Sequence, residues 1–283
     1  MMRRVTTIAE LRDQLRRWRQ ADQHIALVPT MGNLHAGHYA LVDAAVASAD
    51  QVVVSVFVNP TQFGPKEDFA RYPRTLDADA EGLQQHGCGL MFCPDVATMY
   101  PAAALGQASV NVQVPGLSEI LCGQSRPGHF DGVTTVVTKL LNLVQPDLAL
   151  FGQKDYQQWL LIRQLVSDLH LPVALQRVAT VRAASGLALS SRNQYLSAAE
   201  RETAAEIFRT LETMRAAVAS GRPSALVEMA AAERLQAIGF QVDYVAIRSA
   251  DRLQVLPETA SEPLIGLIAA RLGATRLIDN LLF

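Results

Sequence analysis

Short apolar runs separated by amphipathic stretches dominate the chain up to residue 178. The apolar runs, which are short and largely uninterrupted, lie at residues 25–28, 52–58, 90–93, 148–151 and 173–178. Runs of this kind, bounded by turn residues, are typical of strands buried on both faces of a sheet. Apolar residues that recur three and four positions apart predict helices over residues 41–46, 76–83, 133–144 and 156–169. The alternation predicts an α/β fold, a parallel sheet with helices on both faces, in which ligands bind at the carboxyl ends of the strands.

The pattern changes after residue 178. Ser197 and Glu200 have the spacing of a capping box and predict the start of a long alanine-rich helix that runs to about residue 220. A further helix is predicted over residues 223–238, followed by strands over 241–247, 264–272 and 275–278. We therefore predict two domains, residues 1–178 and a smaller α+β domain over residues 179–283.

The composition favours a folded protein that acts on small molecules. Of the 283 residues, 49% are hydrophobic and 18% are charged, which argues against long disordered segments. The formal net charge is only −2, so no strong field directs the chain toward nucleic acid or an anionic membrane. We expect neither as a partner.

The cysteines and the N-terminus predict a cytoplasmic location. Cys88, Cys93 and Cys122 are odd in number and lack the Cys-x-x-Cys spacing, so the sequence indicates neither a disulfide framework nor a zinc ribbon. The first residues lack the apolar core of a signal peptide, and Thr7 with Glu10 instead predicts a capping box that opens a helix through Trp18. No segment offers the roughly 20 uninterrupted apolar residues that cross a bilayer.

The most informative segment follows the first predicted strand and contains two histidines at a predicted helix entrance. Its residues are Pro29, Thr30, Met31, Gly32, Asn33, Leu34, His35, Ala36, Gly37 and His38. The first N–H groups of a helix have no internal partner, and they attract phosphate groups. Gly32 and Gly37 permit close backbone approach, while His35 and His38 can share one helical face. The segment predicts a nucleotide site.

Two other interpretations of the histidine segment stay open at this point. A histidine pair can bind zinc, but the sequence has no His-Glu-x-x-His pattern and no nearby Cys or acidic ligand. The segment can also be a structural turn between a strand and a helix, with no ligand at all.

A second polar cluster follows the predicted strand over residues 52–58. Asn59 and Gln62 leave the sheet at the edge that carries the histidine segment, and their amides can hold a hydroxyl or a carboxylate without adding charge. An Asn-Pro turn with a purely structural role explains the same residues equally well.

A third cluster joins the strand over residues 148–151 to the next helix. Gly152, next to Gln153, permits close backbone approach, and Lys154 supplies a positive charge for a phosphate. Asp155 can bind a ribose hydroxyl or simply cap the helix, and Gln158 lies one turn further on.

A fourth cluster, Leu189, Ser190, Ser191 and Arg192 with Asn193, follows Gly186. Such a loop can close over a triphosphate, with the guanidinium neutralising charge on a leaving pyrophosphate. An exposed serine-rich turn is the plainer interpretation.

Taken together, these segments closely resemble the pantothenate synthetase family, the pantoate–β-alanine ligases of vitamin B5 synthesis. The resemblance covers most of residues 5–196, and the motifs occur in the order of the family. They are Pro29-Thr30-Met31-Gly32, His35-x-Gly37-His38, Asn59-Pro60-x-Gln62-Phe63, Tyr72-Pro73-Arg74, Arg126-Pro127-Gly128-His129-Phe130, Phe151-Gly152-x-Lys154-Asp155-x-Gln157-Gln158 and Ser190-Ser191-Arg192-Asn193.

The resemblance implies a Rossmann-like nucleotidyltransferase domain and a small C-terminal lid domain, related to class I aminoacyl-tRNA synthetases. It implies that ATP lies along residues 29–38, residues 152–155, Val181 and residues 189–192. It also implies that Gln62 and Gln158 hold pantoate, with Asn59 and Tyr72 nearby, and that β-alanine later contacts Gln62. A homodimer is implied as well.

The implied reaction condenses (R)-pantoate with β-alanine and gives pantothenate, AMP and pyrophosphate through a pantoyl adenylate. Magnesium ion is expected on the ATP phosphates, with no protein metal site. The resemblance places six residues around the phosphates as catalytic residues: His35, His38, Lys154, Ser190, Ser191 and Arg192. Family descriptions usually name the second histidine, here His38, as a proton donor, whereas its place at a helix entrance favours hydrogen bonding to phosphate.

Two positions depart from the family pattern. Many relatives have Glu between the histidines and before the Lys-Asp pair, where this chain has Ala36 and Gln153. Neither position donates or accepts a proton in the implied reaction.

Three rival functions are weighed against this interpretation. An adenylyl transferase for a phosphate-bearing acceptor would share the histidine segment but would lack pantoate-dependent exchange of pyrophosphate into ATP. A tRNA synthetase is disfavoured because the chain is short and has no basic surface signal. A nucleotide sensor would bind ATP without releasing pyrophosphate.

Overall fold

A six-stranded parallel sheet forms the larger part of the protein. The computed structural model describes residues 2–65, 67–256 and 262–283. The strands of the sheet are β1 Arg3–Val5, β2 Ile25–Thr30, β3 Gln51–Val56, β4 Leu90–Phe92, β5 Leu148–Gly152 and β6 Ala174–Val178. Their order across the sheet is β1-β4-β3-β2-β5-β6, with every pair parallel. The predicted α/β class with a parallel sheet is confirmed.

The five predicted strands are present, with small differences at their ends. β3 ends at Val56, although the apolar run that predicted it continues to residue 58. The edge strand β1 was not predicted, because three residues are too few for a periodic pattern and it pairs with β4, far along the chain.

Helices and short 3₁₀ turns connect these strands. The helices are α1 Ile8–Gln20, α2 Ala36–Val46, α3 Leu76–Gln85, α4 Val96–Met99, α5 Pro101–Ala104, α6 Cys122–Ser125, α7 His129–Val144 and α8 Tyr156–Asp168. The 3₁₀ turns are Pro60–Gln62, Phe69–Arg71 and Gln153–Asp155. α1 begins with the predicted capping box, in which Thr7 and Glu10 bond each other's backbone N–H groups.

The register of the sheet brings two polar loops to one edge. In the pairing of β2 with β3, Thr30 lies opposite Val56, so the two strands end level with each other. The histidine segment and the segment that contains Asn59 and Gln62 therefore leave the same carboxyl edge, as expected for a ligand site in a parallel sheet. Apolar side chains of β2, β3 and α2 form the core behind this edge.

The C-terminal part is a three-stranded antiparallel sheet with helices. Its strands are β7 Gln241–Ser249, β8 Leu264–Leu272 and β9 Thr275–Leu282, in that order. Its helices are α9 Ala198–Ala204, α10 Glu206–Ala219 and α11 Ser224–Ala237, and a 3₁₀ turn spans Ser191–Tyr195. β9 is four residues longer than the predicted strand over 275–278. Leu211, Leu235 and Ile268 lie in the core of this part.

The long helix predicted from Ser197 to about residue 220 is wrong in one respect, because the structure has two helices, α9 and α10. The predicted capping box of Ser197 and Glu200 is present. At Ala205 the backbone N–H donates to the carbonyl groups of Glu202 and Thr203, so the chain tightens and α10 starts afresh at Glu206. Nothing in the helical spacing of the sequence marks such a local break.

The chain divides into two compact units. One contains the residues up to Gly152 together with Leu161–Val178, and the other contains Gln153–Leu160 and Ala179–Phe283. The second unit thus includes the start of α8, which the sequence analysis placed with residues 1–178. The domain boundary at residue 178 stays a prediction. In the described part of the chain, no helix is both long enough and apolar enough to span a bilayer.

Candidate active site

The histidine segment begins with a tight turn at the end of β2. Thr30 Oγ1 donates a hydrogen bond to the Ser55 carbonyl at 2.7 Å, which ties the turn to β3. Gly32 has φ +82°, and a Cβ at this position would lie 2.9 Å from Val56 Cγ1. Glycine is therefore required at residue 32 both by the backbone conformation and by the available space.

A buried aspartate holds the next two residues of the segment. Asp79 of α3 is 2% exposed, and its carboxylate accepts hydrogen bonds from the N–H groups of Asn33 at 3.0 Å and Leu34 at 2.8 Å. Thr75 Oγ1 donates to the same carboxylate at 3.1 Å. Sequence reasoning missed Asp79, although its place beside Leu76 and Leu83 on the apolar face of a predicted helix marks a buried charge that needs partners.

His35 and His38 lie side by side at the start of α2. Their ring centroids are 4.1 Å apart. His35 is the N-cap, and its Nδ1 accepts a hydrogen bond from the Gly37 N–H at 3.1 Å. His38 Nδ1 accepts from the His35 N–H at 3.4 Å. An imidazole that accepts at Nδ1 is neutral there, so this pattern assigns the proton of both rings to Nε2.

The Asn59 and Gln62 segment forms a 3₁₀ turn after β3. Asn59 is 1% exposed; its Nδ2 donates to Gln62 Oε1 at 3.2 Å and to the Gly132 carbonyl at 3.0 Å. Its Oδ1 accepts from the hydroxyl groups of Tyr100 at 2.8 Å and Thr61 at 3.0 Å. Both hydrogens of the Asn59 amide are thus engaged by the protein, which suits a residue that orients Gln62 better than one that binds substrate.

Gln62 connects this turn to the histidine segment. Its Nε2 lies 2.8 Å from Met31 Sδ. Tyr72, which the resemblance places near pantoate, is buried and packs edge-on against Phe63, with ring centroids 5.9 Å apart. The structure therefore gathers Met31, Gln62 and the surroundings of Tyr72 within one unit.

The backbone of Gln62 is held by the motif that begins at Arg126. His129 Nδ1 donates to the Gln62 carbonyl at 2.8 Å, and Arg126 donates to the same carbonyl at 3.3 Å and to His129 Nε2 at 2.8 Å. Glu67 receives two hydrogen bonds from Arg126, at 2.7 and 2.6 Å. Burial alone would raise the pKa of Glu67, but the hydrogen bonds and charge of Arg126 outweigh it, and the pKa is lowered.

α7 approaches the same turn very closely at Gly132. A Cβ on Gly132 would lie 2.5 Å from the Thr61 carbonyl carbon and 2.6 Å from the Gln62 nitrogen. Only glycine allows this contact between helix and turn.

In the second unit, the 3₁₀ turn Gln153–Asp155 carries the predicted lysine. Lys154 Nζ lies 3.1 Å from Asp155 Oδ2, and Asn280 of β9 donates to the carbonyl groups of Gln153 and Lys154, both at 2.9 Å. Gln158 follows on α8 and is partly exposed. Gly152, the last residue of β5, has open space beside it, since an added Cβ would meet no described atom outside residues 151–153 within 4 Å.

The remaining predicted residues form one connected loop of the second unit. The Leu189 N–H donates to the Val181 carbonyl at 3.0 Å, which pairs the two ends of the loop around Gly186. Ser190 caps the turn Ser191–Tyr195, and its Oγ accepts from the Arg192 N–H at 3.2 Å. Val181, which the sequence alone did not single out, thus lies directly beside Leu189.

The predicted site residues fall into two groups, each assembled within its own unit. Residues 29–38, Asn59, Gln62, Tyr72 and Gly152 belong to the first unit, and residues 153–158, Val181 and residues 189–192 belong to the second. Among the residues that the structure describes, no three His, Cys, Asp or Glu side chains are grouped as a metal site. That these two groups act on one nucleotide stays a prediction.

Comparison with known proteins identifies the family. A family model described as pantoate-beta-alanine ligase matches residues 3–282. Pantothenate synthetases of Xylella fastidiosa strain 9a5c and Xanthomonas campestris pv. campestris strain B100 are 55% and 54% identical to this chain, and each alignment covers the whole of both chains.

Comparison with solved structures gives the same family. A crystal structure of pantothenate synthetase from Thermus thermophilus is similar with a TM-score of 0.91 and 48% identity over 99% of both chains. A Francisella tularensis pantoate-beta-alanine ligase, complexed with beta-gamma ATP and beta-alanine, is similar with a TM-score of 0.81 and 33% identity, and the match covers 100% of this chain and 98% of that one. The chain belongs to the pantoate–β-alanine ligase family.

Proposed function

We propose how this chain performs the reaction of its family, the ATP-dependent joining of pantoate to β-alanine with formation of a carbon–nitrogen bond. The reaction has two chemical steps. A free carboxylate resists attack by an amine because its leaving group would be oxide. Transfer of the adenylyl group of ATP to pantoate converts that oxide into AMP, which is a good leaving group.

In the first step a pantoate carboxylate oxygen attacks the α-phosphorus of ATP and expels pyrophosphate. His35 and His38 donate from Nε2 to phosphate oxygens, because Nδ1 of each ring already accepts a backbone N–H. Lys154, Ser190, Ser191 and Arg192 stabilise the negative charge that builds up on the phosphates. This role requires both groups of residues to act on the same ATP molecule.

Pantoate is held by amide groups that add no charge of their own. Gln62 and Gln158 bind it, Asn59 orients Gln62, and Tyr72 is buried against Phe63, the residue that follows Gln62. In the second step the amine of β-alanine attacks the activated carbonyl, and AMP leaves with the former carboxylate oxygen. The enzyme contributes mainly by placing the reactants in contact.

We assign magnesium to the ATP phosphates and not to a protein site. The candidate site contains one carboxylate, Asp155, which is paired with Lys154 at 3.1 Å. Its other polar residues are mainly histidines, amides, hydroxyls and cations, and a set of this kind favours phosphate over a divalent cation. When bound, the ion would neutralise phosphate charge.

The observation that carries the proposal is the arrangement of the two histidines. Neutral rings 4.1 Å apart at a helix entrance, each with Nδ1 engaged, present two N–H donors where a helix attracts phosphate. A zinc ligand needs a free ring nitrogen with a lone pair directed at the metal, and the assigned tautomer places a proton on Nε2 instead.

Pantoate labelled with ¹⁸O in its carboxylate tests the route. The adenylate mechanism transfers one labelled oxygen to AMP, whereas phosphorylation of pantoate by the γ-phosphate would place the label in inorganic phosphate. Mass spectrometry of AMP and phosphate after one turnover distinguishes the two. Unlabelled AMP would contradict the proposal.

We further propose that the protein functions in the cytoplasm as a homodimer. Cys88 and Cys93 are buried thiols outside any disulfide, which suits a reducing compartment. The dimer follows from the family resemblance, and sedimentation of the purified protein tests it.

A further inference from the structure

Asn280 of β9 places both hydrogens of its side-chain amide on one short segment of backbone. Nδ2 donates to the carbonyl groups of Gln153 and Lys154, each at 2.9 Å, although these residues are 127 and 126 positions away in sequence. Hydrogen bonds to these two carbonyl groups hold the peptide planes on both sides of the Lys154 Cα, since the Gln153 carbonyl precedes that atom and the Lys154 carbonyl follows it. They therefore also fix the direction in which the Lys154 side chain leaves the turn.

The side-chain oxygen of Asn280 indicates that an amide is not needed at this position for packing. Asn280 is 1% exposed, and its Oδ1 is buried with no hydrogen-bond partner among the residues that the structure describes. A buried oxygen without a partner costs on the order of 1–3 kcal/mol. A residue that only filled space would be better apolar, so the hydrogen bonds to the turn are what this side chain contributes.

Asp279, the residue before Asn280, holds the loop from Val181 to Arg192, which is the other predicted phosphate-binding segment of the same unit. Asp279 is buried and receives two hydrogen bonds from Arg182, at 2.5 and 3.0 Å, while Arg182 also donates to the Gly186 carbonyl at 3.2 Å. Arg182 therefore connects β9 to the loop that runs from Val181 to Arg192. Asp279 is linked to its neighbour, since its Oδ1 accepts from the Asn280 N–H at 2.8 Å.

We propose that Asn280 is a positioning residue, which aligns Lys154 for the ATP phosphates by holding the carbonyl groups of Gln153 and Lys154. The inference rests on the proposed function of Lys154 in adenylation. Asn280 itself contacts neither ATP nor pantoate in this scheme. It acts only through the turn, so its effect must disappear when the lysine is absent.

A double-mutant cycle separates this role from a structural one. The variants are Asn280→Leu, which keeps the branched shape and removes both donors, Asn280→Ala, Lys154→Ala, and Lys154→Ala combined with each Asn280 variant. The readouts are pantoate-dependent exchange of pyrophosphate into ATP, the KM for β-alanine, and the urea midpoint of unfolding. Asp243→Asn is the matched control, since it breaks an ion pair with Arg276 at 2.7 Å, and Asp243 lies on β7, at the opposite edge of the sheet from β9.

We expect Asn280→Leu and Asn280→Ala to lower the exchange rate about tenfold or more, the scale of a misplaced catalytic group. In the Lys154→Ala background the same changes should lower it by less than about twofold, since coupled residues are not additive. The KM for β-alanine should stay unchanged, and Asp243→Asn should exchange at the wild-type rate whatever its effect on the midpoint.

Three results would overturn the inference. An equal loss in both backgrounds would show that Asn280 does not act through Lys154, and wild-type exchange in the Asn280 variants would show that the turn needs no anchor. Failure of both Asn280 variants to fold would assign the residue to folding alone. Wild-type exchange in Lys154→Ala would instead contradict the proposed function of the lysine, and that single variant distinguishes the two failures.

Discussion

His38 Nδ1 accepts the backbone N–H of His35 at 3.4 Å, and the two rings lie 4.1 Å apart. This contact closes a capping box in which both members are histidines, since His35 Nδ1 in turn accepts the Gly37 N–H at 3.1 Å. The arrangement fixes the ring orientations before any ligand binds. It also decides which nitrogen of each ring can donate to a phosphate.

The first prediction separates hydrogen bonding from proton transfer at His38. Glutamine can place an N–H near the position of Nε2, but it cannot transfer a proton at neutral pH. If His38 only donates to phosphate, His38→Gln should retain at least about a tenth of the wild-type exchange rate, whereas His38→Ala should lose about a hundredfold or more, the scale of one preorganised donor.

Single-turnover formation of pantoyl adenylate, followed by rapid quench, measures the step directly. The matched control is His86→Gln, because His86 lies outside the candidate site and stacks on Tyr39 with ring centroids 4.5 Å apart. Equal losses in His38→Gln and His38→Ala would favour proton transfer.

The local pattern of the sequence predicts most of the fold. Short, largely apolar runs predict β2 to β6, and capping boxes at Thr7 and Ser197 predict the starts of α1 and α9. These features depend on residues within one or two turns of each other. β1 and the break at Ala205 are missing from the prediction because one is too short for periodicity and the other leaves the helical spacing intact.

The candidate site is predicted only as far as its residues lie in motifs. Residues 29–38 stand out because glycines and histidines cluster at a strand end, and residues 189–192 stand out because two hydroxyl groups and a guanidinium follow one another in a loop. The supporting residues do not stand out: Asp79 contacts Leu34 from 45 positions away, and Asn280 contacts Lys154 from 126 positions away. No local pattern encodes such contacts, because they form only when distant parts of the chain fold together.

A second prediction concerns the cysteines. Burial raises the pKa of the Cys88 thiol to about 12 and that of Cys93 to about 11, and Cys122 is buried as well. Because the thiolate is the reactive form, iodoacetamide at pH 8 should leave all 3 cysteines of the native protein unmodified. Intact-mass spectrometry measures the uptake, with protein in urea as the control that should gain three adducts. Rapid alkylation of the native protein would contradict the buried placement.

A third prediction uses two glycines with opposite surroundings. Gly132→Ala should destabilise the protein by about 1–3 kcal/mol, because the new methyl group meets the Thr61 and Gln62 backbone at 2.5 and 2.6 Å. The clash outweighs the gain of about 1 kcal/mol that alanine brings to a helix. The displaced turn should raise the KM for pantoate several-fold.

Gly152→Ala is the companion variant. No described atom outside residues 151–153 lies within 4 Å of the new Cβ, so the free energy of unfolding should change by less than about 0.5 kcal/mol. If the open space beside Gly152 receives ATP, the KM for ATP should still rise about tenfold. Urea denaturation and steady-state kinetics on both variants check the pair. Equal stability losses would show that the spaces at the two glycines do not differ as described.

The fourth prediction concerns the pair of Glu67 and Arg126, whose side chains are only 20% and 14% exposed. Glu67→Gln should lower the free energy of unfolding at pH 7 by about 1–3 kcal/mol, as expected when a partly buried charged partner is lost. It should also raise the KM for pantoate, because Arg126 and His129 hold the Gln62 carbonyl. Asp13→Asn is the control, since its ion pair with Arg17 is exposed and should contribute less than about 0.5 kcal/mol.

The stability that the Glu67–Arg126 pair contributes should decrease at acidic pH. Because the pKa of Glu67 is lowered in the folded state, the pair contributes its full stability above the ordinary glutamate pKa of about 4.3. That contribution is lost as the pH falls through the lowered pKa. The stability difference between the wild-type protein and Glu67→Gln should therefore be constant from pH 7 to pH 5 and shrink below pH 4. Urea denaturation at each pH measures it, and a difference that grows on acidification would show that Glu67 is not held ionised by Arg126.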